Sequence, residues 1–436
     1  MPDQRQALTN TIEDFLREVI TDLQPQPPTP KAGRPVILPA LALWAGLLVS
    51  VTRGITRQAE LWRLLTIKGL WDFPQYQISD QAVYKRLGQA ASTTFQVIFE
   101  QVTMLLNLRN SELRSTAFNP ESSLSQRSTL AAFANGVFSI DGMTLDRVSK
   151  RLPSLRATPG TVLGGKLSAI FDVRTQLWRS IQHHKDAQQN DKLEVREVIR
   201  DLPVGSVLLF DLGFFAFSWF DHLSDLGHWF VSRMREKTSV TELEVLYDHA
   251  GVKDSIVFLG AYRADRAGHA VRLVEVFYKG AMRRYLTNVL DPRVLSVREV
   301  LELYARRWDI EMMFDLVKTN LKLHFLMSSK TNVMLHQVFA VFTVAQVILG
   351  LRSELASRAK CDVFEVSLSL FVRWVLELAR DGVDPIGVLV ERGRLGGIIR
   401  RSSRGQIRIP EMDESSYRER SSHMVLTRKA RFAGKA

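Results

Sequence analysis

Apolar residues in the first 24 positions (Leu8, Ile12, Phe15, Leu16, Ile20, Leu23) recur at three- and four-residue steps, which predicts an amphipathic helix. A Pro-rich run, PQPPTPKAGRP over residues 25–35, reads as a linker. Residues 36–109 keep a helical pattern. Within them Ile78–Leu87 resembles the second helix of a helix-turn-helix: Ser79 can cap its start, and Gln81, Lys85 and Arg86 fall where DNA would be met. Val36–Val51 and Leu335–Leu351 are strongly apolar. Each stops at about 16 or 17 residues, short of the roughly 18–20 of a membrane span, so both are expected as buried core helices.

A Ser- and Asn-rich linker is expected over 110–134, and the texture then changes. Short Val-, Ile- and Phe-rich runs read as strands: Gly136–Asp141, Lys166–Val173, Gln176–Gln182, Ser206–Asp211 and Trp229–Met234. Helical patterns over Leu193–Leu202 and Phe215–Leu226 alternate with the later ones, which predicts a mixed α/β domain. Residues 237–298 carry further strands (Asp254–Leu259, Ala270–Tyr278, Arg284–Val289) and read as a β-rich insertion. A long helix capped by Ser296 should run through Glu299, Tyr304 and Glu311 to about Leu321, followed by helices over Leu335–Ser357 and Val363–Asp381. The implied organisation is a helical, DNA-binding region over 1–125, a core split into 130–236 and 299–385 around the insertion, and a tail over 386–436.

Composition narrows this picture. A chain of 436 residues suits two to four domains, and a 46% hydrophobic fraction argues against disorder. The net charge of +12 suits contact with nucleic acid or another anionic surface. From Glu391 onward, twelve basic residues face five acidic ones, so the tail is either a DNA-contacting or a merely solvated segment. Cys361 is the single cysteine, which excludes an internal disulfide and argues against a cysteine-built metal site. No apolar signal region opens the sequence, and the expected location is the cytoplasm, with no membrane.

The candidate chemistry lies in acids. Asp141 and Asp211 each follow an apolar strand pattern, and an acid at a strand end is costly without a compensating role. In the helix Tyr304–Lys318, the residues Tyr304, Arg307, Glu311 and Lys318 fall within an arc of about 60° if the helix is regular. A second stripe, Trp308 and Met312 with Ile310 and Phe314 more loosely, should pack that helix on the sheet. Arg307 and Glu311 alone would fit an ordinary i,i+4 ion pair; Tyr304 and Lys318 gain nothing from it. His183-His184 point to opposite faces of a strand and read as a strand end rather than a metal site. Gly164-Gly165 reads as a hairpin turn, and there is no phosphate-binding loop, dinucleotide fingerprint or zinc spacing.

The spacing Y-x2-R-x3-E-x6-K, together with Asp141-Gly142-Met143-Thr144 and Asp211-Leu212-Gly213-Phe214, resembles the signature of DDE transposases of the IS-four insertion-sequence group. The likeness covers about residues 136–357, with a weaker helical match at 36–109. Met143 and Leu212 depart from the usual pattern, and Asp146 is a nearby alternative to Asp141. The resemblance implies an RNase H-like mixed sheet flanked by helices. It implies Asp141, Asp211 and Glu311 as ligands of two Mg²⁺ or Mn²⁺ ions, with Asp141 bridging them, which agrees with the preference of those ions for hard oxygen donors. It implies Tyr304, Arg307 and Lys318 on transposon-end phosphates, and Arg233 either as a further DNA contact or as the partner of an acid in the fold. An insertion aromatic, with Phe277, Tyr278 and Tyr285 as candidates, would stack on a flipped base. The partners implied are transposon-end and target DNA and a second copy in a synaptic dimer, associated with the bacterial nucleoid. A metal-dependent nuclease without strand transfer, or a catalytically silent DNA-binding derivative, fits the same residues.

Overall fold

The computed structural model describes residues 12–22, 37–89, 93–116, 130–145, 165–184, 196–261, 265–278, 280–328, 330–401 and 411–432. The expected linker over 25–35, Asp146 and Gly164 lie outside them.

The described N-terminal elements are helices: α1 (Ile12–Asp22), α2 (Ala40–Thr52), α3 (Gln58–Arg63), α4 (Asp80–Gln89) and α5 (Thr93–Thr116). α5 runs to Thr116, so the start of the expected linker over 110–134 is helical instead. Strands β1 (Val137–Thr144), β2 (Lys166–Asp172), β3 (Leu177–His184) and β4 (Val207–Leu209) follow, then α6 (Phe217–Asp225) and β5 (Trp229–Arg233). Of the helix expected over Leu193–Leu202, residues 196–201 are described and form one helical turn that tightens from Ile199. Four more strands come next: β6 (Val240–His249), β7 (Val252–Leu259), β8 (Val271–Tyr278) and β9 (Ala281–Thr287). β6 escaped the sequence reading because its outward residues, Thr241, Glu242 and Glu244 among them, interrupt the apolar run. The chain finishes with α7 (Val297–Arg306), α8 (Trp308–Asp315), α9 (Thr331–Arg358), α10 (Leu368–Arg380) and α11 (Pro385–Arg392).

Among the described residues nine strands form one mixed sheet in the order β3-β2-β1-β4-β5-β9-β8-β7-β6. The centre, β1-β4-β5, is parallel, and both flanks are antiparallel. The β-rich segment therefore extends the sheet through β9, which pairs with β5, rather than forming a layer of its own. One face of the sheet centre packs Phe138, Ile140, Leu208, Phe210 and Phe230 against α6 through Trp219 and Phe220. The other packs Val137, Val207, Leu209 and Val231 against α7. This is the period-two alternation of a strand covered on both sides.

The helices α1–α5 share one apolar core with α8–α11. Its axis is α9, which is long and apolar enough to cross a membrane, but 94% of its most apolar window is buried inside the protein. The helix expected over Leu335–Ser357 starts earlier, since Thr331–Met334 extend it at its N-terminal end. Buried Gln346 joins it to outer strand β3. Its Oε1 accepts from Trp178 N at 2.9 Å, and its Nε2 donates to Trp178 O at 2.9 Å and to Thr103 Oγ1 at 2.6 Å. A side-chain amide thus occupies strand-edge groups that an apolar residue would leave bare.

The expected tail is docked in part, although most of its described residues over 411–432 stay exposed. Residues 411–432 lie along the β6–β8 region, with Arg266 bridging Arg431 and His269 bridging Thr427. Tyr417 Oη donates to Asp254 Oδ2 at 3.0 Å, and Asp254 is paired with Arg272, both side chains fully buried. Arg272 donates as well to Leu295 O, just before α7, so this buried pair joins the sheet, the tail and the approach to α7.

Candidate active site

Register brings the two aspartates together. β1 and β4 run parallel and pair as Val137↔Val207, Phe138↔Leu208 and Ser139↔Leu209. Two residues beyond the last pair come Asp141 and Asp211, side by side where the two strands part. β1 itself continues to Thr144, paired with β2, so Asp141 lies inside its strand, opposite Ala169, and not at its end as the sequence pattern suggested. Met143, the departure from the family pattern, explains this: it is a core residue on the continuing strand.

Each aspartate is oriented by backbone. Asp141 Oδ1 accepts from Gly142 N at 2.8 Å. Asp211 caps the short turn Leu212–Phe214, its Oδ1 accepting from Gly213 N at 2.7 Å. A Cβ at position 213 would lie 2.8 Å from that same oxygen, so any larger residue there would make the folded-back carboxylate shift.

Glu311 arrives from the other layer. The single long helix expected from Ser296 is broken at Arg307 into α7 and α8, and five residues of wider π-helical turn follow from Leu316 to Asn320. Arg307 N turns back to Tyr304 O at 3.2 Å, one residue short of an α-helical bond. Ser139 Oγ donates to Arg307 O at 3.1 Å at this break, and a side chain bonding to the helix backbone is a known cause of such interruptions. The straight-helix arc through Lys318 therefore does not hold. The packing stripe is also different: Ile310, Met313, Phe314 and Val317 are buried, Met312 packs at the margin, and Trp308 is 52% exposed. Trp308 lies on the face of α8 opposite that buried stripe.

The electrostatics confirm that the acids are neighbours. Burial pushes the Asp141 carboxyl up to about 6, the Gly142 amide opposes that, and the charges of Asp211 and Glu311 add to it while Arg307 works against it. Arg307 Nη1 donates to Glu311 Oε1 at 2.6 Å; the arginine side chain is 11% exposed and the glutamate 32%. Burial lowers the Arg307 guanidinium, but its bond to Glu311 and the charges of Tyr304, Glu311 and Asp211 outweigh this and leave it raised. Burial raises the Tyr304 hydroxyl against the pull of Arg307 and Arg233, which puts Arg233 at the same site.

Among the described residues no three His, Cys, Asp or Glu side chains stand close enough to ligate one ion. The acids share a field without forming a finished ligand set, because each is engaged locally and each raises the cost of approach for the others. The donor chemistry still suits a hard divalent cation: burial first, and then the charges of Asp211 and Glu311, hold Asp141 toward its protonated form, and a cation among the three carboxylates would reverse that repulsion.

The remaining expected contacts divide. Arg233 ends β5 with its side chain exposed. Lys318 lies in the π-helical turn, its ammonium 5.5 Å from the Phe314 ring centroid. Tyr285 is buried against Tyr304, ring centroids 5.2 Å apart, which removes it as a base-stacking candidate; Phe277 is 52% exposed, and the side chain of Tyr278 lies outside the described residues. On α4, Val83 and Leu87 enter the core, while Lys85 is exposed and Arg86 half-buried. No ion pair or hydrogen bond among the described residues joins Lys85 or Arg86 to the acids. His183 and His184 end β3, as the sequence reading had them. Sequence reasoning missed Ser139 and Gln176 altogether; the only signal was polarity inside otherwise apolar segments.

Residues 137–346, which contain all three acids, match the family model of the transposase DDE domain. The match supports a DDE transposase. No curated protein matches the chain. Among solved structures, the chain is similar to a piggyBac transposase synaptic complex with hairpin DNA, at 12% identity and a TM-score of 0.40, covering 94% of this chain and 85% of that one. At that score the likeness carries no argument of its own.

Proposed function

We propose that the chain is a DNA transposase of an insertion sequence, which binds terminal inverted repeats, cuts at them and joins the ends to target DNA. The observation that carries this reading is the register: Asp141 and Asp211 stand side by side beyond the last β1–β4 pair, and Glu311 reaches the same field from α8. The sheet centre would then be an RNase H-like core, and Asp141, Asp211 and Glu311 would hold two Mg²⁺ or Mn²⁺ ions. Such ions supply a clamp that stabilises the attacking and leaving oxygens of a phosphodiester.

The chain's own residues prepare that site. Gly142 N and Gly213 N aim the aspartates, and Arg307 holds Oε1 of Glu311. Arg233, Tyr304, Arg307 and Lys318 form the face for transposon-end phosphates, with arginine suited to a forked contact and lysine to a point charge. Lys85 and Arg86 of α4 contribute a second, more distant contact. The working assembly is a synaptic homodimer acting on DNA in the cytoplasm.

The test is incubation of the full chain with a DNA carrying paired terminal inverted repeats and Mg²⁺. Cleaved and joined products are expected from the wild type and none from Asp211→Ala. Hydrolysis without joining would replace this reading with that of a nuclease, and cleavage that survives Asp211→Ala would overturn the metal-site assignment.

A further inference from the structure

We propose that Ser139 and Gln176 are positioning residues that set the register of Glu311 against Asp141. This rests on the metal-site reading above.

Glu311 sits on a helix that does not fix its own placement. α8 has eight residues, begins at the Arg307 break and ends in a π-helical turn. Its backbone ladder is interrupted at both ends, so its height and rotation over the sheet depend on outside contacts. Two buried polar contacts reach it from the sheet, both in the first turn.

The first is Ser139 Oγ to Arg307 O. Ser139 is fully buried, in a strand otherwise apolar up to Asp141. Ser139 and Asp141 lie two residues apart on one face of β1. Arg307 and Glu311 lie four residues apart, on one side of the helix. Two strand residues span about 6.6 Å and four helical residues about 6 Å. With Ser139 joined to Arg307, each acid stands within about 7 Å of that joint along its own element, which brings the two into one field. The charge coupling of Asp141 to Glu311 agrees with this.

The second contact comes from the β2–β3 turn. Gln176 is 1% exposed, and its backbone is left-handed at φ 59°, a conformation that a side chain other than glycine adopts at a cost. Its Nε2 donates to Val173 O at 2.9 Å and to Asp309 Oδ2 at 3.2 Å. Asp309 is 2% exposed and stands two residues before Glu311. One contact fixes the height of α8 along β1, and the other fixes its rotation.

The experiment measures Mn²⁺ binding to the DNA-free full chain by electron paramagnetic resonance, beside Mg²⁺ titration of DNA-end cleavage and a melting curve in EDTA. Ser139→Ala is expected to raise the half-saturating Mn²⁺ concentration about 10–100-fold, the usual consequence of losing a group that orients a metal ligand. In a Glu311→Gln background the same substitution should shift binding no further. Should Ser139→Ala fail to fold, the near-isosteric Ser139→Cys and Gln176→Met take its place, with the same expected direction. Unchanged Mn²⁺ binding in a folded variant, or an equal shift with and without Glu311, overturns the proposal. A wild type that neither binds Mn²⁺ nor cleaves DNA overturns the functional reading instead.

Discussion

Replacing Asp141 with asparagine should stabilise the metal-free protein while abolishing its activity. The folded protein holds the Asp141 proton to about pH 6, against an ordinary 3.8, because burial and then the charges of Asp211 and Glu311 disfavour the carboxylate. The folded state therefore binds that proton more tightly than the unfolded chain, and stability falls as pH climbs from about 4 to about 6. At about 1.4 kcal/mol per factor of ten in proton affinity, the full difference is about 3 kcal/mol, and solvent at this half-buried group reduces it to about 1–3 kcal/mol. Asparagine removes the charge and keeps an oxygen for the Gly142 amide, which lies 2.8 Å from Oδ1. Urea unfolding in EDTA at several pH values measures the gain. Asp141→Asn and wild type should coincide below pH 4, separate between 4 and 6, and stay apart by about 1–3 kcal/mol at pH 8. Mg²⁺ should then stabilise the wild type and not the variant, since only the folded, charged site binds it. A variant less stable than wild type at pH 8, or a difference independent of pH, would refute the reasoning.

Three further outcomes follow from particular contacts. Gly213→Ala would set a Cβ 2.8 Å from Asp211 Oδ1, so DNA-end cleavage should fall about 10–100-fold with little change in melting temperature; unchanged cleavage counts against the folded-back carboxylate. Gln346→Leu strips Trp178 N and O and Thr103 Oγ1 of their partner and should cost about 2–4 kcal/mol in urea unfolding, whereas a loss below about 1 kcal/mol would mean that β3 does not rely on it. Arg272→Met leaves the Asp254 carboxylate buried without its cation and should destabilise by about 3–5 kcal/mol, while Arg272→Met with Asp254→Leu should recover much of that; a double variant as unstable as the single one would show that packing, not charge, holds this junction.

What the sequence determined by itself is local. Strand β1 and the helix starting at Ser296 are readable because alternation, three- to four-residue recurrence and capping are properties of neighbouring residues; the capping box of Ser296 and Glu299 is formed as the pattern suggests. Asp141 and Asp211 stand out as acids after apolar strand patterns and Glu311 by its helix spacing, and the family resemblance joins the three. The tertiary structure decided everything that depends on which segments meet. The break at Arg307 and the burial of Tyr285 against Tyr304 arise where a helix meets a strand, and no window of one segment records its partner. α9 is legible in the sequence as a buried helix, but only the tertiary structure shows which helices bury it. The tail, charged enough to read as solvated, docks because Tyr417 finds Asp254 at a distance of 163 residues along the chain. Hydrophobic periodicity fixes which face of each element is buried. Long-range register and the pairing of buried polar groups, set only when the sheet closes, fix which acids come abreast.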